Sequence, residues 1–282
     1  MKVALFNEWQ LGVVRDDRIY DIGASLFEER PPRDCPMVEF IKHYETFKPI
    51  AERLLADAPS YPIAEVRLRQ PVSRPNKIVA APVNYLSHKQ EMNVLHTARG
   101  LGFFLKANSS MIGHGDRIVL PGVKAGRRID HELELAFVIG RRAKNVKAED
   151  AYRYIFGYTG LNDVSLRPDG EHEEERCLRK SFDTFTPVGP WIVTGDEIGD
   201  PQNLNMSLTV NGQVKQQVNT KYMICSIAEL VEIFSHVMTL EPGDIIATGT
   251  PDGVGPIRPG DTVAITIERI GALANPVGEE IG

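Results

Sequence analysis

The sequence predicts an α+β fold that is predominantly β, and two features of the chain support this prediction. From Lys77 onward, short runs rich in β-branched and aromatic residues alternate with turns that contain glycine and proline. One turn type occurs twice: Glu241-Pro242-Gly243-Asp244 and Arg258-Pro259-Gly260-Asp261 each lead directly into a short apolar run. Segments with helical spacing of apolar residues are few, so helices are expected to be a minority.

A small α+β module is expected at residues 1–70, followed by the main domain at residues 71–282. Short apolar runs predict three strands in the module, at residues 3–6, 11–14 and 18–22. Apolar residues near helical spacing then predict an amphipathic helix over residues 38–57. Pro71 and Pro75, with polar residues between them, mark the junction with the main domain.

In the main domain, apolar runs predict one strand within residues 129–139 and a second at residues 154–161. Ser226 and Glu229 form the Ser-x-x-Glu pattern of a capping box, followed by apolar residues at helical spacing. We therefore expect a helix at about residues 227–239. Two further strands are expected to follow, at residues 245–247 and 263–267.

The composition is that of an ordinary globular protein and argues against several classes of function. Hydrophobic residues make up 42% of the 282 residues and charged residues 25%. The net charge is −6 and no basic stripe is present, so nucleic acid is not an expected partner. No apolar run is long enough for a membrane span or a leader peptide, and the three cysteines are widely spaced. We therefore expect a cytoplasmic protein with reduced thiols and no membrane partner.

Two carboxylates stand one residue apart in the predicted strand at residues 129–139. Because side chains alternate between the faces of a strand, Glu132 and Glu134 are expected on one face and Leu133 and Leu135 on the other. Two adjacent like charges repel each other unless a cation lies between them. A hard divalent cation, Mg²⁺ or Mn²⁺, is the simplest candidate. A solvated acidic strand edge is the alternative.

Asp163 follows the predicted strand at residues 154–161 and is a candidate third oxygen ligand. Three carboxylates would complete an all-oxygen site with open positions for water or substrate, which is how Mg²⁺ is usually held. An aspartate at a strand end is, alternatively, a turn residue or a helix cap.

His88 and Glu91 are three residues apart, so on a helix they would lie on one face within reach of a hydrogen bond. A carboxylate that fixes one tautomer of an imidazole makes it a better base for activating water. An exposed polar pair without function is the alternative. Lys180 lies beside aromatic and small residues; a half-buried lysine there can neutralise a developing enolate or carboxylate, and a solvated surface charge is the alternative. Lys106 follows an apolar run, a setting that is unusual for a lysine.

Residues 169–176 form a run of charged, mostly acidic side chains. This pattern is typical of a mobile, solvated loop, and a loop at that position could also act as a lid over a site.

Seven short segments occur in a specific order: Asn84-Tyr85 with His88 and Glu91; Phe104-Leu105-Lys106; Glu132-Leu133-Glu134-Leu135; Asn162-Asp163-Val164-Ser165-Leu166-Arg167; Lys180-Ser181-Phe182-Asp183; Pro187-Val188-Gly189-Pro190-Trp191; and Thr248-Gly249-Thr250-Pro251. Together they resemble the fumarylacetoacetate hydrolase family, from Lys77 to the C-terminus. The resemblance implies a compact mixed β-sandwich roll, usually in a homodimer. It also implies that Glu132, Glu134 and Asp163 hold Mg²⁺ or Mn²⁺.

The resemblance further implies roles for individual residues. His88 and Glu91 match the pair that orients and deprotonates water, and Lys180 matches a lysine that faces the substrate beside the metal. A small set matches substrate-binding positions: Lys106, Arg167 and Thr250. The implied activity is hydrolysis of a C–C bond in an acylpyruvate or β-diketo acid, with release of pyruvate or a related 2-oxo acid. Decarboxylation of an oxaloacetate-type acid, hydration or isomerisation of a 2-oxo dienoate, and a non-catalytic metal-binding scaffold remain open alternatives.

The chain departs from the common family pattern at two places. Residues 168–175 replace a segment that contains Gln and Trp in many relatives, and Ala107 stands where a proline is frequent. If the acidic segment faces the pocket, it would repel a second carboxylate on the substrate. On this basis we expect an acylpyruvate with a less acidic tail.

Overall fold

The computed structural model describes residues 1–28, 31–32, 35–124 and 126–280. Most of the regular structure in these residues is β. The strands are β1 (Lys2–Phe6), β2 (Gln10–Arg15), β3 (Arg18–Asp21), β4 (Ser60–Pro62), β5 (Ile78–Ala80), β6 (Phe104–Lys106), β7 (Met111–Ile112), β8 (Ile118–Leu120), β9 (Ile129–His131), β10 (Leu133–Ile139), β11 (Ile155–Asn162), β12 (Ser165–Leu166), β13 (Thr186–Thr194), β14 (Asn205–Val210), β15 (Gln213–Asn219), β16 (Ile245–Ala247), β17 (Gly255–Pro256), β18 (Thr262–Ile267) and β19 (Gly271–Glu279).

Helices are short, and the longest have only eleven residues. The α-helices are α1 (Gly23–Leu26), α2 (Pro36–Lys42), α3 (Tyr44–Leu54), α4 (Leu86–Glu91), α5 (Ala98–Leu101), α6 (Arg176–Arg179), α7 (Gly195–Ile198) and α8 (Ile227–Val237). Single 3₁₀ turns occur at Ile63–Glu65, Asn108–Ser110, Gly122–Lys124 and Thr220–Tyr222, and a longer one at Ala148–Tyr154. None of the helices in the described residues is long and apolar enough to cross a membrane.

A large mixed sheet runs through the molecule in the order β4-β3-β2-β1-β13-β11-β10-β16-β5-β6, and β7 joins at β13. The N-terminal strands are part of this sheet, because β1 pairs with β13 through Lys2 opposite Val193. At the centre, β10 pairs antiparallel with β11 and β16, so β10 has a hydrogen-bonded neighbour on each side.

A second sheet has the order β15-β14-β18-β19-β8 and packs against one face of the large sheet. Leu135 and Phe137 of the large sheet share a buried core with Leu208 and Ile265 of the second sheet. On the opposite face, Ala136 and Val138 pack with residues of α2 and α3. Since both faces of β10 are covered, its sequence is apolar throughout except at Glu134. The prediction of a predominantly β α+β fold is confirmed.

The helix predicted over residues 38–57 is two helices, α2 and α3, which meet at His43. The change of direction lets aromatic residues of both helices reach the same part of the sheet. Phe40 and Tyr44 both make edge-to-face contacts with Phe156 of β11. Apolar spacing alone did not reveal the break, because the spacing continues across it.

The capping box at the start of α8 is present as predicted. The Ser226 side chain accepts a hydrogen bond from the Glu229 amide, and the Glu229 carboxylate accepts one from the Ser226 amide. The helix covers residues 227–237 and buries Leu230, Val231 and Phe234 in the core.

Ser226→Ala is expected to lower the free energy of unfolding by about 0.5–2 kcal/mol, because the Glu229 amide loses the side-chain oxygen that accepts its hydrogen bond. Urea unfolding measures the change. Ser226→Thr is the control, since threonine also caps helices, and it should recover most of the loss. Equal stability of wild type and the alanine variant would contradict a stabilising role for this cap.

Candidate active site

The predicted site residues come together at one end of the large sheet. Glu132 lies between β9 and β10, Glu134 is the second residue of β10, and Asp163 directly follows β11. In the antiparallel pair, Leu133 lies opposite Asn162, so the start of β10 is beside the end of β11. This register is the reason why residues thirty positions apart in the chain become neighbours.

Local hydrogen bonds fix the two carboxylate-bearing segments against each other. The Glu132 amide donates to the side-chain oxygen of Asn162 at 3.0 Å, and the Asp163 amide donates to the Glu132 carbonyl at 3.0 Å. The three carboxylates are almost completely buried, and one oxygen of each lies within 4.8 Å of the others.

Two buried lysines contact this group of carboxylates. The Lys180 ammonium donates to Glu132 at 2.8 Å, to Asp163 at 2.6 Å and to the Ser165 hydroxyl at 2.7 Å. Lys106 donates to Asp163 and to the Phe185 carbonyl. Lys180 lines the cleft, whereas Lys106 contacts Asp163 but does not line the cleft.

Arg167 holds Glu132 in place. Its guanidinium donates to Glu132 at 2.6 Å and to the buried Asp130 at 2.8 Å. Both interactions are charge-assisted, and both carboxylates lie on the segment that carries the site. Arg167 also lines the cleft. Its contact with the substrate stays a prediction, whereas its hydrogen bonds to Glu132 and Asp130 are present in the structure.

Positive side chains of the described residues pair with Glu132 but not with Glu134, so the pKa values of these two carboxyl groups shift in opposite directions. Burial raises the pKa of Glu134 well above its ordinary value, and the negative charges of Asp163 and Glu132 raise it further. Burial would also raise the pKa of Glu132, but Lys180 and Arg167 together lower it below its ordinary value. Glu134 accepts a hydrogen bond from the Gly249 amide at 2.6 Å and forms no ion pair with any described residue.

This donor set fits a hard divalent cation. Carboxylate oxygens are the preferred ligands of Mg²⁺ and Mn²⁺, and three of them leave positions open for water or a chelating substrate. A cation between the carboxylates would also offset the repulsion that acts on Glu134. Glu132, Glu134 and Asp163 are thus residues of this chain that could hold a metal ion.

His88 and Glu91 lie on the short helix α4 and face each other as the spacing predicts. The His88 Nδ1 atom is 3.1 Å from a Glu91 carboxylate oxygen, and the His88 side chain is buried at the edge of the cleft. The second oxygen of Glu91 accepts a hydrogen bond from the Gly253 amide at 2.9 Å. Glu91 therefore anchors α4 to the loop after β16 and leaves the Nε2 atom of His88 available for proton transfer.

The loop after β16 brings Gly249 and Thr250 to the site. Gly249 has φ +94°, and a Cβ atom there would lie 2.7 Å from Cβ of Asn84. The turn therefore requires glycine, and it directs the Gly249 amide to Glu134. Thr250 lines the cleft, and its hydroxyl accepts a hydrogen bond from the Gln216 side chain at 2.9 Å.

Gly249→Ala is expected to weaken metal binding and to cost about 1–3 kcal/mol of stability, because it combines an unfavourable backbone conformation with a close contact. Gly212→Ala is the matched control, since Gly212 has φ +78° and open space around it. Thermal unfolding with and without Mn²⁺ measures both effects. Equal losses in the two variants would show that the contact at Gly249 is unimportant.

The cleft beside these residues has a volume of about 200 Å³. Its wall carries three arginines, Arg167, Arg176 and Arg179, in addition to Lys180. Among the described residues, none from 169 to 175 lines it. The acidic segment that suggested a less acidic substrate tail therefore does not form the rim of the cleft, and the charge of the substrate tail stays a prediction without this support.

The reason lies in the pairing of the acidic segment with basic residues outside the cleft. The Glu174 carboxylate pairs with Arg127 and Lys124 at 2.8 Å and 3.0 Å. Asp169 pairs with Arg127 at 2.9 Å and accepts from the amides of residues 171 and 172. Because of these contacts, the carboxylates of Asp169 and Glu174 do not line the cleft, whereas Arg176 and Arg179 of α6 do.

Sequence reasoning did not identify Gln216, although it connects several parts of the site. Its side-chain oxygen accepts from the Leu133 amide at 2.9 Å, and its nitrogen donates to Thr250. The same oxygen is 3.1 Å from Nδ1 of His131. Gln216 lies in the polar strand β15, whose sequence does not show which of its side chains are buried.

Comparison with known proteins identifies similar chains along nearly the whole sequence. The sequence model of the C-terminal domain of fumarylacetoacetate hydrolase matches residues 77–278. A maleylpyruvate hydrolase of Aquipseudomonas alcaligenes is 44% identical over 287 residues, which cover 97% of this chain and 98% of that protein. A mitochondrial oxaloacetate tautomerase of Rattus norvegicus is 40% identical over 265 residues, covering 91% of this chain and 83% of that one.

A solved structure agrees in fold as well as in sequence. The maleylpyruvate hydrolase of Sphingobium sp. SYK-6, crystallised with a manganese(II) ion and pyruvate, superposes with a TM-score of 0.89. It is 41% identical to this chain, and the match covers 100% of both chains.

Proposed function

The chain belongs to the fumarylacetoacetate hydrolase family, and we propose that it hydrolyses a C–C bond of an acylpyruvate in a reaction that depends on a divalent metal. The family membership confirms the resemblance found in the sequence. The products would be pyruvate and the carboxylic acid derived from the acyl group. The observation that carries this proposal is a cleft in which three buried carboxylates, a buried lysine and a carboxylate-oriented histidine converge.

We propose Glu132, Glu134 and Asp163 as the ligands of Mg²⁺ or Mn²⁺. When bound, such a cation supplies Lewis acidity, which polarises a keto oxygen of the substrate and stabilises negative charge that develops there. Manganese accompanies pyruvate in the related maleylpyruvate hydrolase, which supports this choice of metal.

Other residues of the chain have separate roles in the proposed reaction. His88 takes a proton from water at Nε2, while Glu91 holds Nδ1, so that the water attacks the acyl carbonyl of the substrate. Cleavage of the C–C bond then leaves the pyruvate part as an enolate, which takes a proton at carbon 3. The Lys180 ammonium lies beside the site and offsets part of this negative charge. The Thr250 hydroxyl, fixed by Gln216, is proposed to contact the substrate carboxylate.

Lys106 and Arg167 are also proposed to influence substrate binding, mainly through the carboxylates that they contact. Lys106 donates to Asp163, and Arg167 bridges Glu132 and Asp130. Both cations restrict the carboxylates to one geometry. Each therefore acts on the substrate chiefly by positioning the ligands.

A second candidate is tautomerisation or isomerisation of a 2-oxo acid. The 40% identity to a mitochondrial oxaloacetate tautomerase supports it, and so does the position of His88 as a base beside the cleft. The same residues could remove and return a proton at carbon 3 without any water attack. Decarboxylation uses the same stabilisation of an enolate and is the third outcome to distinguish.

One assay separates these activities. The Mn²⁺-loaded protein is incubated with maleylpyruvate, fumarylpyruvate, acetylpyruvate and oxaloacetate, while pyruvate, CO₂ and the keto–enol ratio are followed. Pyruvate formation from acylpyruvates without CO₂ is the expected result. Enol interconversion alone would support the tautomerase, and CO₂ release from oxaloacetate would support a decarboxylase; either result without hydrolysis would contradict the proposed hydrolase.

We further propose that the protein acts as a homodimer in the cytoplasm. Family resemblance supports the dimer, and the three free cysteines, Cys35, Cys177 and Cys225, suit a reducing compartment. Light scattering coupled to size-exclusion chromatography measures the mass of the protein in solution. A dimer should have twice the 31.4 kDa of one chain, and a mass equal to one chain would contradict it.

A further inference from the structure

We infer that Arg127, outside the cleft, is a positioning residue for Lys180 inside it. Arg127 holds the connecting segment, residues 167–175, and this segment fixes the helix α6, which leads directly into Lys180. The inference rests on the proposed function, because Lys180 is the cation that offsets the charge of the enolate there.

The connecting segment has little support from its own backbone. Residues 167–175 form no helix or strand between β12 and α6. Residues 168–174 make no backbone–backbone hydrogen bond with any residue that the structure describes, and most of their side chains are exposed. The position of the segment therefore depends on side-chain contacts.

Arg127 makes such contacts with both ends of the connecting segment. Its guanidinium donates to the two carboxylate oxygens of Glu174 at 2.8 Å and 3.2 Å, and Lys124 donates to Glu174 at 3.0 Å. Arg127 also donates to the Arg167 carbonyl at 2.6 Å and pairs with Asp169 at 2.9 Å. Only 10% of the Arg127 side chain is exposed, and a two-point contact between arginine and carboxylate is strong and directional. Arg127 thus holds the segment against the residues that precede β9.

Glu174 connects this anchor to α6. While its carboxylate is bound by Arg127, its carbonyl accepts from the Arg179 guanidinium at 2.8 Å. Lys180 directly follows α6, and its backbone amide donates to the Arg176 carbonyl at 3.1 Å. The backbone of Lys180 is therefore placed by a helix that is fixed through Glu174 and Arg127.

This support matters most when a cation occupies the proposed metal site. In the structure, the Lys180 ammonium donates to Glu132 at 2.8 Å and to Asp163 at 2.6 Å. A divalent cation between these carboxylates would offset their charge and weaken their attraction for Lys180. The ammonium then stays beside the substrate only if its backbone is held from elsewhere, and Arg127 provides that support.

The exposed Cys177 allows a direct measurement of the support. Cys177 lies in α6, whereas Cys35 and Cys225 are buried. A nitroxide spin label is attached to Cys177 in the protein with diamagnetic Mg²⁺, and its mobility is read from the EPR spectrum. The label is expected to be more mobile in Arg127→Met than in wild type, because methionine removes the charge and the donors. Arg127→Lys should lie between the two, since lysine keeps the charge but not the two-point contact.

The site itself is tested with acetylpyruvate and pyruvate on the Mn²⁺-loaded protein. In Arg127→Met, kcat for acetylpyruvate is expected to fall by about tenfold, as for the loss of one charge-assisted hydrogen bond to the enolate, while KM changes less. The affinity for pyruvate, measured by calorimetry, should fall by about threefold or more. The affinity for Mn²⁺ should stay within about twofold of wild type, since Arg127 contacts none of the proposed ligands.

Two further variants separate positioning from a general loss of stability. Glu174→Gln removes the charge from the other side of the contact, so it should give the same changes in label mobility and kcat in weaker form, because Arg127 keeps its contact with Asp169. Arg153→Met is the matched control, since Arg153 forms an ion pair with Asp150 and does not line the cleft. It should behave like wild type in every measurement.

Unchanged label mobility in Arg127→Met would overturn the inference, and so would a mobile label with kcat and pyruvate affinity within about twofold of wild type. If wild type hydrolyses no acylpyruvate, the proposed function fails, and the pyruvate affinities decide the inference by themselves. A weaker affinity in Arg127→Met with a mobile label would then support Arg127 as a positioning residue, and equal affinities would contradict it.

Discussion

Glu134→Gln is expected to abolish metal-dependent turnover and to lower the affinity for Mn²⁺ by at least about a hundredfold, the upper range found for partners of metal ligands. Glutamine has nearly the same volume and can still accept the hydrogen bond from the Gly249 amide. It removes the negative charge, however, and leaves one neutral oxygen as a weaker ligand. The expected loss of Mn²⁺ affinity should therefore result from the missing negative charge and the weaker oxygen ligand, and not from a change in side-chain packing.

The folded state of this variant should persist without metal. Glu134 is a buried carboxylate without an ion pair among the described residues, and burial raises its pKa. Replacing it with a neutral amide removes the unfavourable buried charge. The metal-free variant is therefore expected to be at least as stable as metal-free wild type.

Thermal unfolding in the presence of Mn²⁺ provides a readout that is independent of catalysis. A ligand at a hundred times its dissociation constant stabilises the folded state by about 2.7 kcal/mol, so wild type should show a clear upward shift. Glu134→Gln should show none. Glu149→Gln, a change at an exposed glutamate, should shift like wild type. A normal Mn²⁺-dependent shift in Glu134→Gln would exclude Glu134 as a ligand.

Features of the site that depend on local spacing could be predicted from the sequence. Alternation along a strand placed Glu132 and Glu134 on one face, and a three-residue spacing placed His88 beside Glu91. The proximity of Asp163 required the register of β10 and β11, which the residues alone do not specify. Its position after a predicted strand made Asp163 a candidate ligand, and the order of the family's segments favoured that interpretation over a turn residue or a helix cap.

Features that depend on contacts between distant segments were not predictable in the same way. Gln216 reaches the site from the second sheet, and nothing in its surrounding polar strand indicates this contact. The pairing of β1 with β13 likewise joins residues nearly two hundred positions apart, so the first strands could be predicted but not their place in the large sheet. The boundary between residues 1–70 and 71–282 stays a prediction.

The acidic segment shows a different limit of sequence reasoning. Its composition indicates negative charge but not the direction in which the charge points. Arg127 and Lys124 bind Glu174, and the cleft then faces Arg176 and Arg179 instead. The composition of the segment therefore does not indicate the charge of the substrate tail.

His88→Ala is expected to slow hydrolysis by roughly two to four orders of magnitude while metal binding is retained, the usual contribution of a general base. The cleft offers few other groups that could accept a proton. Its three carboxylates are the proposed metal ligands, and its arginines stay protonated. Burial would lower the pKa of Lys180, but Asp163 and Glu132 raise it above its ordinary value, so this lysine remains a cation. Among the described residues that line the cleft, His88 is thus the base best placed to activate water.

Three measurements test this assignment. Calorimetry should give the same Mn²⁺ affinity for His88→Ala and wild type, and added imidazole should restore part of the lost pyruvate release. Glu91→Gln should lose less activity than His88→Ala, because an amide oxygen can still accept from Nδ1 while the charge is gone. His236→Ala, at an exposed histidine in the last turn of α8, should behave like wild type. Full activity of His88→Ala would show that the proton is taken by a different group, and the role of Glu91 in orienting an imidazole would then have no basis.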